Sequence, residues 1–345
     1  MKVGEVYFIR ERDRIDGGNS SYVKIGIVQD ASSSDSQKRL HTHQTSSPRP
    51  LELHHVTQTP GPYRVERFLH QRFGPKRVRS EWFRFTDVDL AEAVQTAERM
   101  AAEAFVYIPI MKKAEELKTV ASTPDKIDAT DESTQWITAL SVATTAVKHC
   151  KAMSTAYAQV VAELPPEDRA QAELEELVIT DHRINKTFDR VQFAEKYPEL
   201  LEAYNVTTVA VQGPFRPILL DVDLAEAARE LFDFCSSFQE ACNRHRRGEL
   251  PFGDLFDLHQ ILVQFRGYYS WDEAVADANL RVLCGASAGI EGQATWKRAA
   301  KSTTNLDVVR LESEHPDEYN EFVTVTVIKH VKRERRARLQ ATGSS

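Results

Sequence analysis

Between Phe85 and Asp89 the hydrophobic pattern of this 345-residue chain changes its period. Before that point the apolar residues fall in short runs rich in β-branched and aromatic side chains: 5–10 (EVYFIR), 22–28 (YVKIGIV) and 51–57 (LELHHVT). Such runs predict strands. Two short helical stretches alternate with them. One spans 36–44 (SQKRLHTHQ) and is closed by Pro48 and Pro50. The other begins at 60–63 (PGPY) and repeats Val65, Phe68, Leu69 and Phe73 at helical spacing before Gly74-Pro75 ends it. A last strand follows at 81–85 (EWFRF). The order β-β-α-β-α-β predicts a compact mixed domain that opens with a hairpin, whose polar loop at 11–21 turns at Gly17-Gly18.

After Asp89 the helical period takes over. Long helices are predicted over 89–120, broken or kinked at Pro109, and over 132–163, ended by Pro165-Pro166. Further helices are expected near 167–178, 188–204, 223–246 and 271–280, with β-rich runs at 206–211, 216–221 and 322–328. The fold class is therefore α+β: a small mixed α/β domain at 1–88, a connecting helix and linker at 89–122, and a mainly helical region at 123–345. The polar stretch 120–133 reads as the boundary inside the helical part. No internal repeat shows at a regular period.

Hydrophobic residues make up 41% and charged residues 28%, enough to bury a core without covalent staples. No run approaches the ~18 apolar residues of a membrane span, and the N-terminus turns charged too soon for a signal peptide. Cys150, Cys235, Cys242 and Cys284 are scattered. A reduced, cytoplasmic chain is the expectation. The formal net charge of −7 divides unevenly. Residues 1–85 hold 15 Lys and Arg against 9 Asp and Glu, a net of +6, and the remainder carries −13. The first part is thus suited to a polyanion.

Six short motifs stand in order across residues 4–85: Val6-Tyr7-Phe8, Val23-Lys24-Ile25-Gly26-Ile27, Lys38-Arg39-Leu40, QTSSPRPLEL (44–53), Glu66 with His70, and Glu81-Trp82-Phe83. Together they resemble the GIY-YIG endonuclease superfamily, and within it the branch typified by phage T5-type proteins. The resemblance covers about a quarter of the chain and implies a metal-dependent nuclease that hydrolyses phosphodiester bonds. Lys24 stands where most members of the superfamily have tyrosine, which leaves the general base open. Attached domains commonly supply targeting in such nucleases, so the acidic helical region would serve target selection, oligomerisation or control by a protein partner. A bacterial or phage setting is implied, with phage defence or restriction as roles.

The chemistry needs an activated water, a neutralised phosphate and a stabilised leaving oxygen. Glu66 is the candidate ligand for Mg²⁺, with Mn²⁺ as the alternative, because such ions take few protein carboxylates and keep several waters. Arg39 offers a planar donor fork for phosphate. Lys24 is expected as a second cation at the sheet surface, and Tyr7 would hold or deprotonate the attacking water. His43 shares a helix face with Arg39 and would act as base or phosphate donor. His70 shares a face with Glu66 and would orient that carboxylate from behind. Lys38, Arg64 and Arg67 are candidate contacts to nucleic acid, with double-stranded DNA the expected partner. The alternative reading is a binding module that does not cut, carried on a helical interaction scaffold.

Three other signals are set aside. Gly285-Ala286-Ser287-Ala288-Gly289 has the spacing of a hydrolase nucleophile elbow but follows a largely helical region. Cys235, Cys242 and His245 lack the paired spacing of a zinc site. The basic tail of Lys329, Lys332, Arg333, Arg335, Arg336 and Arg338 is either a phosphate grip or a solvated terminus.

Overall fold

The computed structural model describes residues 3–12, 18–32, 34–45, 47–164 and 178–333, and in two paired segments, 178–184 and 327–333, the backbone alone. The expected turn at Gly17, the helix at 167–177 and the end of the basic tail lie outside the described residues, as do the side chains of Lys329, Lys332 and Arg333. In chain order the elements are β1 (Gly4–Arg12), β2 (Asn19–Val28), α1 (Ser36–Gln44), β3 (Leu51–Thr59), α2 (Pro62–Arg72), β4 (Arg77–Arg79), β5 (Trp82–Arg84), α3 (Asp87–Phe105), α4 (Tyr107–Leu117) and α5 (Asp131–Glu163). They continue with β6 (Val178–Phe188), α6 (Arg190–Lys196), α7 (Pro198–Ala203), β7 (Asn205–Gln212), β8 (Arg216–Pro217), α8 (Leu224–Ala227), α9 (Arg229–Arg246) and α10 (Phe252–Cys284). The last are β9 (Gly289–Ile290), β10 (Ala294–Thr295), β11 (Ala299–Leu306), α11 (Val308–Glu314), α12 (Pro316–Asn320) and β12 (Val323–Arg333).

The chain forms two compact units. The first takes residues 1–117, 122–160 and 215–297, and the second takes 118–121, 161–214 and 298–345. This division differs from the one read in the sequence, because α5, α9 and α10 gather with the N-terminal elements. The stretch 120–133 is correspondingly no free tether. Thr123 N–H donates to the Ala286 carbonyl at 2.8 Å and Ile127 N–H to that of Gly289 at 3.1 Å.

In the first unit the sheet order is β3-β1-β2-β5-β4, and every neighbouring pair is antiparallel. Side chains alternate across a strand, so β1 and β2 serve two cores. Val6, Phe8, Val23, Ile25 and Ile27 face one side, where Val65 and Leu69 of α2 and Leu90, Ala93 and Ala97 of α3 bury against them. Tyr7, Ile9 and Val28 face the other, against Leu40 of α1 and Leu51, Leu53 and Val56 of β3. The expected 89–120 helix is two helices that part at Val106, three residues before Pro109. A proline is tolerated in a first helical turn, so Pro109 sits near the start of α4 rather than inside a continuous helix. The helix expected at 271–280 is longer than the pattern suggested, since α10 runs 33 residues and is apolar on several sides. The expected strand at 216–221 shrinks to β8.

The second unit is built from two copies of one motif. Strand β6 leads through α6 and α7 to β7, and β11 leads through α11 and α12 to β12. The copies match residue for residue at one constant offset: Phe188 with Leu306, Asp189 with Asp307, Phe193 with Leu311, Pro198 with Pro316, and Tyr204 with Phe322. Their hydrogen bonds match too. Asp189 N–H donates to the Phe322 carbonyl at 2.9 Å, and Asp307 N–H to the Tyr204 carbonyl at 2.8 Å. Each ladder takes one strand from each copy, β12 with β6 and β11 with β7, antiparallel and in the same register, Phe188 opposite Val323 and Leu306 opposite Asn205. The result is a pseudo-two-fold body around a core of Phe193, Tyr204, Leu306, Leu311 and Tyr319. The sequence shows no regular period because there are only two copies, separated by a stretch that belongs to the first unit.

Candidate active site

The site begins with a missing side chain. Tyr7 of β1 lies opposite Gly26 of β2, and an added Cβ on Gly26 would stand 2.5 Å from the Tyr7 hydroxyl and 2.6 Å from its ring carbon Cζ. The tyrosine therefore lies flat over the glycine, which fixes its hydroxyl on the α1 face of the sheet. Helix α1 is fastened above it. Buried Glu5 accepts from the Ser36 N–H at 2.9 Å, and Asp35 caps the helix by accepting from the Lys38 N–H at 2.8 Å. The two anchors set α1 over β1, and Leu40 packs beneath it.

This placement brings His43 to the tyrosine: the Tyr7 hydroxyl and His43 Nε2 are 3.3 Å apart. Arg39, one turn earlier on the same face, is half-buried, and its Nε is buried with no hydrogen-bond partner among the described residues. An unsatisfied guanidinium N–H is costly away from water, and an anion bound there would relieve it. Lys38 is exposed beside Asp35 at 3.8 Å. The structure thus pairs Tyr7 with His43, and Arg39 lies one turn from His43 along α1.

A second group lies around β5 and α2. Lys24 is buried and ion-paired with Glu81, which corrects the expectation of a cation at the sheet surface. Glu81 was missed as a site residue in the sequence, although it opens the quoted Glu81-Trp82-Phe83 motif. Glu66 is only 2% exposed. Burial holds the Arg77 guanidinium below its usual range, aided by Arg67, while Glu81 and Glu66 oppose the shift. Glu66, Glu81 and Arg77 therefore share one electrostatic neighbourhood with Lys24. Among the described residues no group of three or more His, Cys, Asp or Glu side chains converges as a metal cage. Mg²⁺ takes as few as one or two protein carboxylates, and Glu66 is the carboxylate on α2 that would serve.

The role expected for His70 is corrected. Its Nε2 donates to the Ile25 carbonyl at 3.1 Å, and Nδ1 accepts from the Gln264 amide at 3.1 Å. Both ring nitrogens are committed, so neither is left to orient Glu66. Burial, then Arg77, lowers the pKa of His70 to about 4. It is a neutral pin joining α2, β2 and α10. Gln264 lies far along the chain, which is why spacing alone tied His70 to Glu66.

Arg67 is also corrected, because it is buried against neighbouring helices, and Arg64, half-buried, turns toward α10 rather than lying open for a phosphate. Arg67 is ion-paired with Glu230 of α9 and lies over the Phe265 ring of α10 at 3.7 Å. Arg64 Nε lies 3.7 Å from Asp272 Oδ1 of α10. Helix α2 buries one side on the sheet and another on α10, so closely that a Cβ on Gly267 would fall 2.2 Å from Tyr63 Cγ. Basic residues at 64 and 67 resemble phosphate contacts only while their carboxylate partners, far along the chain, are unknown.

The signals set aside in the sequence have ordinary explanations. Gly285 follows helix α10 rather than a strand, and the Ser287 hydroxyl donates to the carbonyls of Cys284 and Gly289. Burial pushes the Cys235 thiol up to about 11, away from the thiolate a metal requires, and His245 is engaged with the Leu250 carbonyl at 2.8 Å.

With this geometry in place the comparisons become informative. A family model, the T5orf172 domain, matches residues 4–101. The match opens at β1 and closes within α3, so it takes in the whole five-stranded sheet and every candidate site residue. The T5orf172 domain is associated with nuclease-type modules, which agrees at that coarse level with the resemblance seen in the sequence. No curated protein and no solved structure matches the chain. Among the described residues no helix is long and apolar enough to cross a membrane.

Proposed function

We propose that the T5orf172 domain is a GIY-YIG-type endonuclease that hydrolyses nucleic-acid phosphodiester bonds, double-stranded DNA foremost. The observation that carries this reading is the Tyr7–His43 pair at 3.3 Å beside the unsatisfied Nε of Arg39. It supports a proton relay that works with an anion donor one helical turn away on α1. Water attacking the phosphorus loses its proton to the Tyr7 hydroxyl, which passes its own to His43 Nε2. Arg39 donates to the phosphate oxygens as charge builds on them. Glu81 holds Lys24 at the sheet, where the ammonium adds positive potential to the site.

Glu66 would hold Mg²⁺ or Mn²⁺. When bound, the ion supplies charge neutralisation at the phosphate and the leaving oxygen. The helical elements of the first unit and the pseudo-two-fold second unit would serve targeting, self-association or control by a partner, in a setting such as phage defence or restriction.

The test is nicking of supercoiled plasmid with Mg²⁺ by the full chain, beside Glu66→Ala and Arg39→Ala. Cleavage by the parent and loss by about a hundredfold or more in each variant is expected. Unchanged cleavage in Glu66→Ala would remove the assigned ligand. No cleavage of DNA or RNA by the folded parent would favour a binding module.

A further inference from the structure

A cleft of about 340 Å³ in the first unit lies apart from the Tyr7 site. Its walls come from α2 (Arg64), α4 (Tyr107), α5 (Trp136, Ala139, Val142, Ala143) and α10 (Tyr269, Trp271, Asp272, Val275). That volume falls in the range of small-molecule sites. Four aromatic residues face one cleft, with Tyr107 and Trp136 meeting edge to face at 6.4 Å between ring centroids. Trp271 is 7% exposed, and its indole N–H is buried without a hydrogen-bond partner. The floor of alanine and valine is apolar.

The polar end carries the specificity. Arg64 and Asp272 sit side by side, 3.7 Å apart. Their charges offset, so a neutral ligand with a polarised edge suits the cleft better than an ion does. Arg64 Nε is buried and makes no hydrogen bond. Desolvation pushes the Asp272 carboxyl up to about 6 against the opposing pull of Arg64, so above neutral pH it is an ionised acceptor, and its side chain reaches solvent. The pair sets guanidinium donors, one of them engaged with Tyr268, beside a two-oxygen acceptor in a cleft lined by aromatic side chains.

We infer that this cleft binds a guanine base. Guanine carries two neighbouring acceptors, O6 and N7, that match an arginine fork. Beside O6 it carries two neighbouring donors, N1–H and N2–H, that match the two oxygens of a carboxylate. The other bases lack one or the other of these paired edges. Stacking on an aromatic face stabilises a bound base whatever its identity. The guanine comes from a free nucleotide or from an unstacked base of a nucleic acid. Arg64 lies two residues before Glu66 on α2, so an occupant would press on the helix that carries the candidate metal ligand.

The test reads binding and not cleavage, so its outcome is separate from that of the nuclease reading. The full chain is titrated by calorimetry at pH 8 with GMP, AMP, CMP and UMP. A second arm uses single-stranded oligothymidylate with and without one internal guanine. Trp136→Ala and the isosteric Asp272→Asn are run beside the parent, with circular dichroism to confirm folding. The expected result is a preference for guanine that Asp272→Asn lowers by about tenfold or more. Preference for GMP identifies the free nucleotide as the source. Preference in the oligonucleotide arm alone identifies a base of nucleic acid. No guanine preference in either arm, or one that a folded Asp272→Asn leaves unchanged, overturns the inference.

Discussion

Gly26→Ala tests the geometry on which the Tyr7 site depends. The new Cβ would stand 2.5 Å from the Tyr7 hydroxyl and 2.6 Å from Cζ, where ordinary contacts begin at 3.4 Å. The ring, 3% exposed, must move by about 1 Å into packed surroundings, and overpacking of this kind costs about 1–3 kcal/mol. The same movement disturbs the 3.3 Å contact with His43, so cleavage should fall with stability. The decisive comparison is a double-mutant cycle. Tyr7→Ala alone should cost about 3–5 kcal/mol through the cavity it leaves. In that background the alanine at 26 meets no ring, so its own cost should fall to within about 0.5 kcal/mol of zero, a coupling of about 1–3 kcal/mol. Urea unfolding of the four proteins supplies the numbers. If Gly26→Ala costs the same with and without the Tyr7 ring, the glycine is not there to make room for the tyrosine.

Three further expectations follow from the structure. His70 titrates at about 4 when folded against 6.5 in the open chain, so the unfolded chain binds the extra proton between those values. Stability from this residue is complete above pH 6.5 and is lost as pH falls toward 4, by up to about 3 kcal/mol; urea midpoints at pH 7 and 4.5 should converge in His70→Gln, which can still donate to the Ile25 carbonyl and does not titrate. Lys24→Met should cost about 2 kcal/mol because the ion pair with Glu81 is lost, less than for a fully buried pair since Glu81 reaches solvent, while adding Glu81→Leu recovers most of it in thermal melts. Asp189 and Asp307 cap equivalent helices, so alanine at either should lower stability by a similar amount, about 1 kcal/mol by urea unfolding; a severalfold difference would count against the two copies being structurally equivalent.

Much of the first 85 residues was legible because their order is local. Strand β1, helix α1 and helix α2 follow from alternation, caps and helical spacing within a few residues, and α1 spans the residues the pattern gives. The proximity of Arg39 and His43 was legible for the same reason, being one helical turn. Their approach to Tyr7 was not, because it depends on the sheet face to which Gly26 confines the ring. The surroundings of Lys24, His70, Arg64 and Arg67 are not legible for one shared cause: each meets a partner, Glu81, Gln264, Asp272 or Glu230, that no local pattern connects to it. Glu81 was passed over because its motif also reads as plain strand core. The first half of α10 escaped because Leu255, Leu262, Phe265 and Trp271 bury several of its sides, which erases the one-faced period that marks a surface helix.

The duplicated second unit has a consequence for synthesis. Strand β7 ends at Gln212, and its partner β11 is complete only at Leu306. At about 5–20 residues per second, the intervening chain takes on the order of 5–20 s to emerge. Throughout that interval neither β6 nor β7 has its full partner strand available. A nascent chain released before Ala299 keeps one whole copy and no partner for it. On such a fragment only another molecule can fill the edges of those strands, so a ladder that is intramolecular in the finished protein becomes a route to pairing between truncated chains.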